Sequence, residues 1–282
     1  MSAWDSAWPA PAKLNLFLHV VGRRDDGYHL LQTAFRLIDR CDSLRYTPRD
    51  DDRVALARPL AGIDESTELS VRAARLLLAE AGSKQGVDIE IDKSIPVGGG
   101  LGGGSSDAAT TLAVLNRLLR LGASSEELAR LGASLGADVP FFLFGRNAFG
   151  EGIGERLTPL DLPAAWYVVL APPVAVSTKA IFGAPELTPN TKTIKISSFS
   201  AGFGRNDLEP VVCRRHSEVA AHLAWLKQFG DARLSGSGAC VFAEFRSERE
   251  AREVLSGMPD KMTGFVVRGL ERHPLTEMLD HG

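Results

Sequence analysis

The residues best suited to chemistry form one run, Pro96-Val-Gly-Gly-Gly-Leu-Gly-Gly-Gly-Ser-Ser-Asp107, in which six of the seven positions from Gly98 to Gly104 are glycine. Backbone without Cβ atoms lets N–H groups approach an anion closely, and a helix starting in the run adds the positive end of its dipole. A phosphate group is the natural guest. Ser105 and Ser106 supply hydroxyls that can donate to phosphate oxygens or ligate Mg2+. The candidate phosphate-contacting set is therefore Pro96, Gly98, Gly99, Gly100, Leu101, Gly102, Gly103, Gly104, Ser105 and Ser106. A flexible linker shares this composition, but a linker is not normally set between a strand and a regular helix. Known phosphate loops do not fit. Gly104 is followed by Ser105 where GxxxxGK[ST] needs lysine, and GxGxxG laid on Gly98, Gly100 and Gly103 lacks the acidic residue about 20 positions on. The protein-kinase signatures HRD and DFG are absent.

A second glycine-rich segment, Arg233-Leu-Ser-Gly-Ser-Gly-Ala-Cys-Val-Phe242, reads equally as a tight turn or a ligand contact. It is not a GxSxG nucleophile elbow, because Ser235 stands two residues before Ser237. The six histidines include no HExxH, and Cys41, Cys213 and Cys240 form neither a CxxC pair nor a disulfide framework. They read as reduced thiols of a cytoplasmic protein.

Several elements must position these groups. Alternating apolar residues predict a strand over 13–21, closed by Gly22 and Asp25-Asp26-Gly27, and a second strand over 30–38. Helical spacing over 69–81 precedes a strand over 87–92 that runs into the glycine loop. Ala108, Leu112, Leu115 and Leu119 lie on one stripe of the helix after the loop, with Gly122 as its C′ residue. Ser124-Ser125-Glu-Glu opens another helix. The apolar runs 139–144 and 166–171 have the length of buried strands, residues 185–204 read as a mobile loop, and 206–229 is mostly helical. A strand over 240–245, a helix over 247–256 and a strand over 264–269 complete the chain. Strands and helices mix without strict alternation, which predicts an α+β fold in two lobes, 1–160 and 161–282.

The 282 residues carry 32 basic and 35 acidic side chains, a formal net charge of −3, with 44% hydrophobic residues. That balance argues against a nucleic-acid or membrane-surface binder, and no apolar run has the roughly 18 residues of a spanning helix. The first residues lack the charged-then-apolar plan of a signal peptide.

Three segments in order, Pro11-Ala-Lys-Leu-Asn-Leu-Phe-Leu, the glycine run, and Leu234-Ser-Gly-Ser-Gly-Ala, resemble the three motifs of the GHMP small-molecule kinase superfamily. Arg24-Asp-Asp-Gly-Tyr-His29, Gly136-Ala-Asp-Val-Pro-Phe-Phe142 and Asn206-Asp-Leu-Glu-Pro210 resemble the branch of that superfamily whose substrate is a cytidine-diphosphate polyol. The resemblance spans residues 9–275. It implies a ribosomal protein S5 domain 2-like N-terminal lobe that binds ATP, a ferredoxin-like C-terminal lobe that binds substrate, and a cleft between them. It implies ATP and Mg2+ as cofactors and phosphorylation of the polyol's 2-hydroxyl in non-mevalonate isoprenoid synthesis. Homoserine and mevalonate kinases share the glycine loop and are the alternatives among enzymes; a nucleotide-binding module without catalysis is the alternative outside them.

Residue by residue, the resemblance makes Asp138 the base for the acceptor hydroxyl and Lys13 the cation that offsets charge on the transferring group. Alone, Asp138 would read as a cap before Pro140, and Lys13 as an edge-strand or snorkelling residue. Asn15, two residues on from Lys13, shares its strand face and would position the acceptor. Tyr28, His29 and Phe182 match the cytosine site, and Glu68, Leu69 and Lys93 match nucleotide-contacting positions. Glu68 stands where many relatives of this branch carry Asn.

Overall fold

The computed structural model describes residues 3–199 and 203–280. Its first sheet is built on a long antiparallel hairpin, β1 (Trp8–Arg23) with β2 (His29–Pro48). Both strands extend well beyond the alternation seen in the sequence. Short strands complete the sheet in the order β3-β4-β2-β5-β6: β3 (Val54–Leu56), β4 (Val87–Asp92), β5 (Ala148–Gly152) and β6 (Arg156–Pro159). Against this sheet pack α1 (Leu69–Glu80), α2 (Gly103–Leu118), α3 (Ser125–Leu135) and α4 (Val139–Phe144). Ser124 and Glu127 form a reciprocal capping box at the start of α3, satisfying two orphan donors.

Two readings of the sequence need correction here. Residues 139–144 are a helix, not a strand: Pro140 occupies its first turn, where a missing N–H costs nothing, whereas in a central strand it would break the ladder. Gly122 is not the C′ residue of α2; the helix ends at Leu118, and Arg120 takes the left-handed conformation with φ +51°. Gly122 follows with φ +75° as a second, separate turn residue.

The second lobe runs β7 (Trp166–Leu170), α5 (Thr178–Phe182), α6 (Glu209–Arg215), α7 (Ser217–Leu226), β8 (Arg233–Leu234), β9 (Val241–Phe245), α8 (Glu248–Ser256) and β10 (Gly264–Arg268). Its sheet has the order β10-β7-β9-β8 with every neighbouring pair antiparallel. That is the split βαβ arrangement of a ferredoxin-like lobe. Residues 185–199 are irregular apart from a 3-10 turn at Ile196–Ser198, yet Leu187 is buried and Ile194 exchanges hydrogen bonds with the Gln32 side chain. Residues 200–202 of the predicted loop lie outside the described residues.

Among the described residues, three apolar clusters hold the molecule together: one under α1 to α4, one inside the second lobe, and one between the sheets, formed by Leu14, Phe17, Ile38, Tyr167, Val169 and Phe242 among others. The lobes trade ends. Leu18 and Val20 of β1 belong to the second cluster, whereas Leu275 of the last helix, α9 (Pro274–Asp280), belongs to the first. No helix among the described residues is long and apolar enough to cross a membrane.

Candidate active site

A cleft of about 420 Å³ opens where β1, the glycine loop, α5 and the second glycine segment meet. The loop between β4 and α2 reaches it because α2 begins inside the glycine run, with Gly102 at its N-cap in the left-handed region, φ +75°. A Cβ there would also lie 2.9 Å from the Phe142 ring and 3.1 Å from Cε of Lys13. Gly100, likewise at φ +75°, leaves room for the second segment: a Cβ on it would fall 2.2 Å from the Ser235 carbonyl oxygen. The Ser235 hydroxyl donates to the Gly100 carbonyl at 3.1 Å, and the Cys240 N–H donates to the Gly99 carbonyl. The two glycine segments, distant in sequence, are one structure.

Lys13 projects from β1 into this cleft. Its backbone N–H donates to the Leu101 carbonyl at 2.9 Å, its ammonium donates to Asn15 Oδ1 at 2.5 Å, and Asp138 Oδ2 lies 3.2 Å from Nζ. The Asn15 amide in turn donates to Thr33 Oγ1 at 2.9 Å, which fixes the Asn15 carbonyl toward the lysine. Asp138 sits at the N-cap position of α4, yet its side chain makes no cap hydrogen bond. It faces Lys13 instead, with a third of its side chain exposed to the cleft. An anionic carboxylate beside a buried ammonium, both opening on a glycine cradle, can accept a proton and offset charge at a transferring phosphoryl group.

Lys93, at the entrance to the glycine loop, also lines the cleft, but its ammonium is held by the carboxylates of Asp42 and Asp107. Burial pulls this ammonium down, and the two carboxylates outweigh it, leaving the group above its ordinary range. Burial pushes the Asp107 carboxyl up, against the opposing pull of Lys93. The other Asp42 oxygen accepts the Ser94 and Ile95 N–H groups at 2.6 and 2.8 Å, so this buried acid fixes the approach to the loop. Glu68 caps α1, accepting from the Val71 N–H at 2.9 Å and the Ser70 hydroxyl at 3.3 Å. Its carboxylate is thus an acceptor committed to the helix as well as a wall of the cleft.

All the loop positions selected from sequence line the cleft except Ser106, which is fully buried; Ser105 is the hydroxyl that reaches it. Leu69 and Phe182 line it too. Phe182 faces His29 at 5.3 Å between ring centroids, but His29 itself and Tyr28, which is 62% exposed, both lie outside the cleft lining. Sequence reasoning missed Asp42, Ser235, Thr33 and the apolar wall of Leu60 and Ile63. The signals were faint: Asp42 lies past the strand predicted over 30–38, in the polar stretch from Asp39 to Ser43, and Ser235 lies in a segment legible as a turn. Thr178, unassigned from sequence, bonds the Ser237 hydroxyl at 2.6 Å across the cleft mouth.

Comparison with known proteins bears on this arrangement. Residues 68–146 match the model of the GHMP kinases N terminal domain, and residues 190–264 match that of the GHMP kinases C terminal domain. The 4-diphosphocytidyl-2-C-methyl-D-erythritol kinase of Thiobacillus denitrificans is 60% identical over 273 residues, covering 97% of this chain and 98% of its own. The chain belongs to the GHMP kinases. Among members of this family, the protein of the same name from Aromatoleum aromaticum is 58% identical, with 95% of this chain and 94% of its own covered. A crystal structure of 4-(cytidine 5'-diphospho)-2C-methyl-D-erythritol kinase superposes with a TM-score of 0.81 at 33% identity, covering 94% of this chain and 99% of that one. Homoserine kinase from Cytophaga hutchinsonii shares the fold, with a TM-score of 0.65 at 17% identity over 95% of each chain. The GHMP kinase described here is accordingly a small-molecule kinase.

Proposed function

We propose that this GHMP kinase transfers the terminal phosphoryl group of ATP to the 2-hydroxyl of 4-diphosphocytidyl-2-C-methyl-D-erythritol. The Lys13–Asp138 pair carries the reading: an aspartate at a helix start that leaves its cap unmade and turns to a buried lysine is arranged for the cleft, not for the helix. The substrate follows from relatives of 53–60% identity that bear this kinase name. The division proposed is a nucleotide lobe of residues 1–160 and a substrate lobe of residues 161–282, working in the cytoplasm on a small molecule.

The residues present suit ATP. Leu60, Ile63, Leu69 and Val97 offer an apolar wall for a base, and the glycine cradle offers N–H groups for phosphates. Mg2+ would be held by the Ser105 hydroxyl together with phosphate oxygens, since the described residues contain no cluster of three His, Cys, Asp or Glu side chains able to hold a metal. It would neutralise charge on the phosphates. Asp138 accepts the proton of the acceptor hydroxyl as that oxygen bonds to the γ-phosphorus and the bond to the β-phosphate bridging oxygen breaks. Lys13 offsets the charge carried by the transferring oxygens, and Asn15 orients the lysine. Phe182 and His29, with Tyr28 at the rim, receive the cytosine.

A coupled ADP-release assay across the cytidyl substrate, mevalonate and homoserine tests this reading. Turnover confined to the cytidyl substrate is expected; faster turnover of either small alcohol would overturn it.

A further inference from the structure

Between Asn15 and Leu18 the pairing of β1 with β2 shifts register, and there β1 takes a new neighbour. The Leu18 N–H donates to the Arg205 carbonyl at 3.0 Å and the Leu18 carbonyl accepts from Asp207 at 2.8 Å, so residues 205–207 run beside β1 as a short parallel bridge. Asn206 lies at the centre of this bridge, 2% exposed. Its Nδ2 donates to the Leu234 carbonyl at 2.9 Å and to the Gly236 carbonyl at 2.7 Å, while its Oδ1 accepts from the Leu208 N–H at 2.9 Å. The segment is itself anchored on both flanks. The Asp207 carboxylate accepts from the Val20 N–H, the Thr191 hydroxyl and Arg205, and Glu209 accepts from the Leu234 N–H.

The two carbonyls that Asn206 holds flank Ser235, whose hydroxyl accepts from the Asn15 N–H at 3.3 Å and donates to Gly100. Gly236 lies over Lys13 and Asn15: with φ +57°, a Cβ on it would fall 3.2 Å from Asn15 Oδ1 and 3.4 Å from Lys13 Nζ. Buried carbonyls need donors, and only a side chain with two N–H groups on one atom and an acceptor on the other serves all three partners here. Aspartate would present an oxygen to two carbonyl oxygens, and alanine would leave both unpaired at a cost of about 1–3 kcal/mol for each buried group.

We infer that Asn206 is a positioning residue for phosphoryl transfer: its amide fixes the 234–236 turn, which sets the height of the roof over Lys13 and Asn15 and so aligns the ammonium with the Asp138 carboxylate. It touches neither substrate and acts through Gly236 and Ser235. This inference rests on the reading of Lys13 and Asp138 as the reacting pair, and the Lys13→Met variant in the same assay tests that reading separately: near wild-type turnover there refutes the pair and not the role of Asn206.

The experiment measures turnover at saturating ATP and cytidyl substrate, ATP affinity by calorimetry, and urea midpoints for wild type, Asn206→Ala, Lys13→Met and the double variant. A displacement of about 1 Å in a reacting group costs on the order of 100-fold in rate. Asn206→Ala should therefore lower kcat roughly 100-fold, with ATP affinity within about threefold of wild type. On the Lys13→Met background the same change should lower the urea midpoint as before but leave residual turnover unchanged, since there is no ammonium left to align. A purely structural asparagine would multiply with Lys13→Met in turnover; that outcome overturns the inference, as does a folded Asn206→Ala with near wild-type kcat. Should Asn206→Ala not fold, Gly236→Ala reaches the same roof without touching residue 206. A kcat fall of similar size there supports the inference, and unchanged kcat refutes it. Wild type inactive on the cytidyl substrate would instead refute the substrate assignment.

Discussion

Removing either member of the Lys13–Asp138 pair should have unequal effects on stability and similar effects on rate. The asymmetry comes from burial: the lysine side chain is 4% exposed and the aspartate 32%. Asp138→Ala leaves the Lys13 ammonium inside the protein with Asn15 Oδ1 as its remaining hydrogen-bond acceptor among the described residues. Breaking a fully buried pair this way costs about 3–5 kcal/mol. Because water reaches the aspartate end, we expect about 1–3 kcal/mol, read as a lower urea midpoint. Lys13→Met removes the buried charge, keeps much of the apolar stem and lets Asp138 rehydrate, so its stability should stay within about 1 kcal/mol of wild type. Turnover behaves differently. Asp138→Asn removes the base at nearly constant volume and should lower kcat about 10²–10⁴-fold, roughly 3–5 kcal/mol of barrier. Lys13→Met should lower it comparably, and the double variant should be far more active than the product of the single losses implies. If Lys13→Met unfolds more readily than Asp138→Ala, the ammonium is not the stranded partner. If the two rate losses multiply, the residues do not serve one transition state.

Four further outcomes follow from the geometry. Gly98→Ala should fold, since open space surrounds the Cβ position, but φ +69° costs about 1–2 kcal/mol and the loop should lose more than tenfold in ATP affinity by calorimetry; unchanged affinity would remove the loop from the phosphate site. Gly103→Val should mainly lower stability, because its side chain would press on Ile95 at 3.1 Å and Asp42 at 3.4 Å. Phe182→Ala should raise KM for the cytidyl substrate by the equivalent of about 1–3 kcal/mol of base stacking while sparing the KM for ATP, and Tyr28→Ala should act in the same direction; a rise in the ATP value alone would contradict the pocket. His273 is buried and its imidazole is driven down to about 3, while its Nδ1 accepts the Leu275 N–H. Its folded value lies below the unfolded one, so the unfolded chain binds the extra proton and stability falls as pH drops from about 6.5 toward 3, by up to about 1.4 kcal/mol per unit. His273→Gln should flatten that acid slope in denaturation midpoints, and an unaltered slope would show that the imidazole does not carry it.

The glycine run, its flanking strand and helix, and Lys13 with Asn15 on one strand face were legible because each rests on local spacing. The pairing of Asp138 with Lys13 was not, since nothing within either segment encodes contact across 125 positions of chain; the family resemblance supplied it. Short strands such as Ala148–Gly152 escaped notice because glycine and glutamate replace the apolar alternation that marks a strand. Residues 139–144 misled because an all-apolar run has no period, and Pro140 alone signalled a helix start. Asp42 and Ser235 act through backbone groups of remote loops, a role that leaves no spacing to read. Ring partners were likewise settled by the fold: Phe182 lies against His29.

The exchange of ends between the lobes bears on how the chain is made. Strand β1 is synthesised before the second lobe, yet Leu18 and Val20 await α6, α7 and β9; the helical layer under the first sheet awaits Leu275, which follows them all. Domains usually consolidate in order of translation. Here each apolar cluster draws on residues from the other lobe's stretch of chain, so neither is complete while only one stretch has emerged, and fragments cut near residue 160 inherit the same unfinished surfaces.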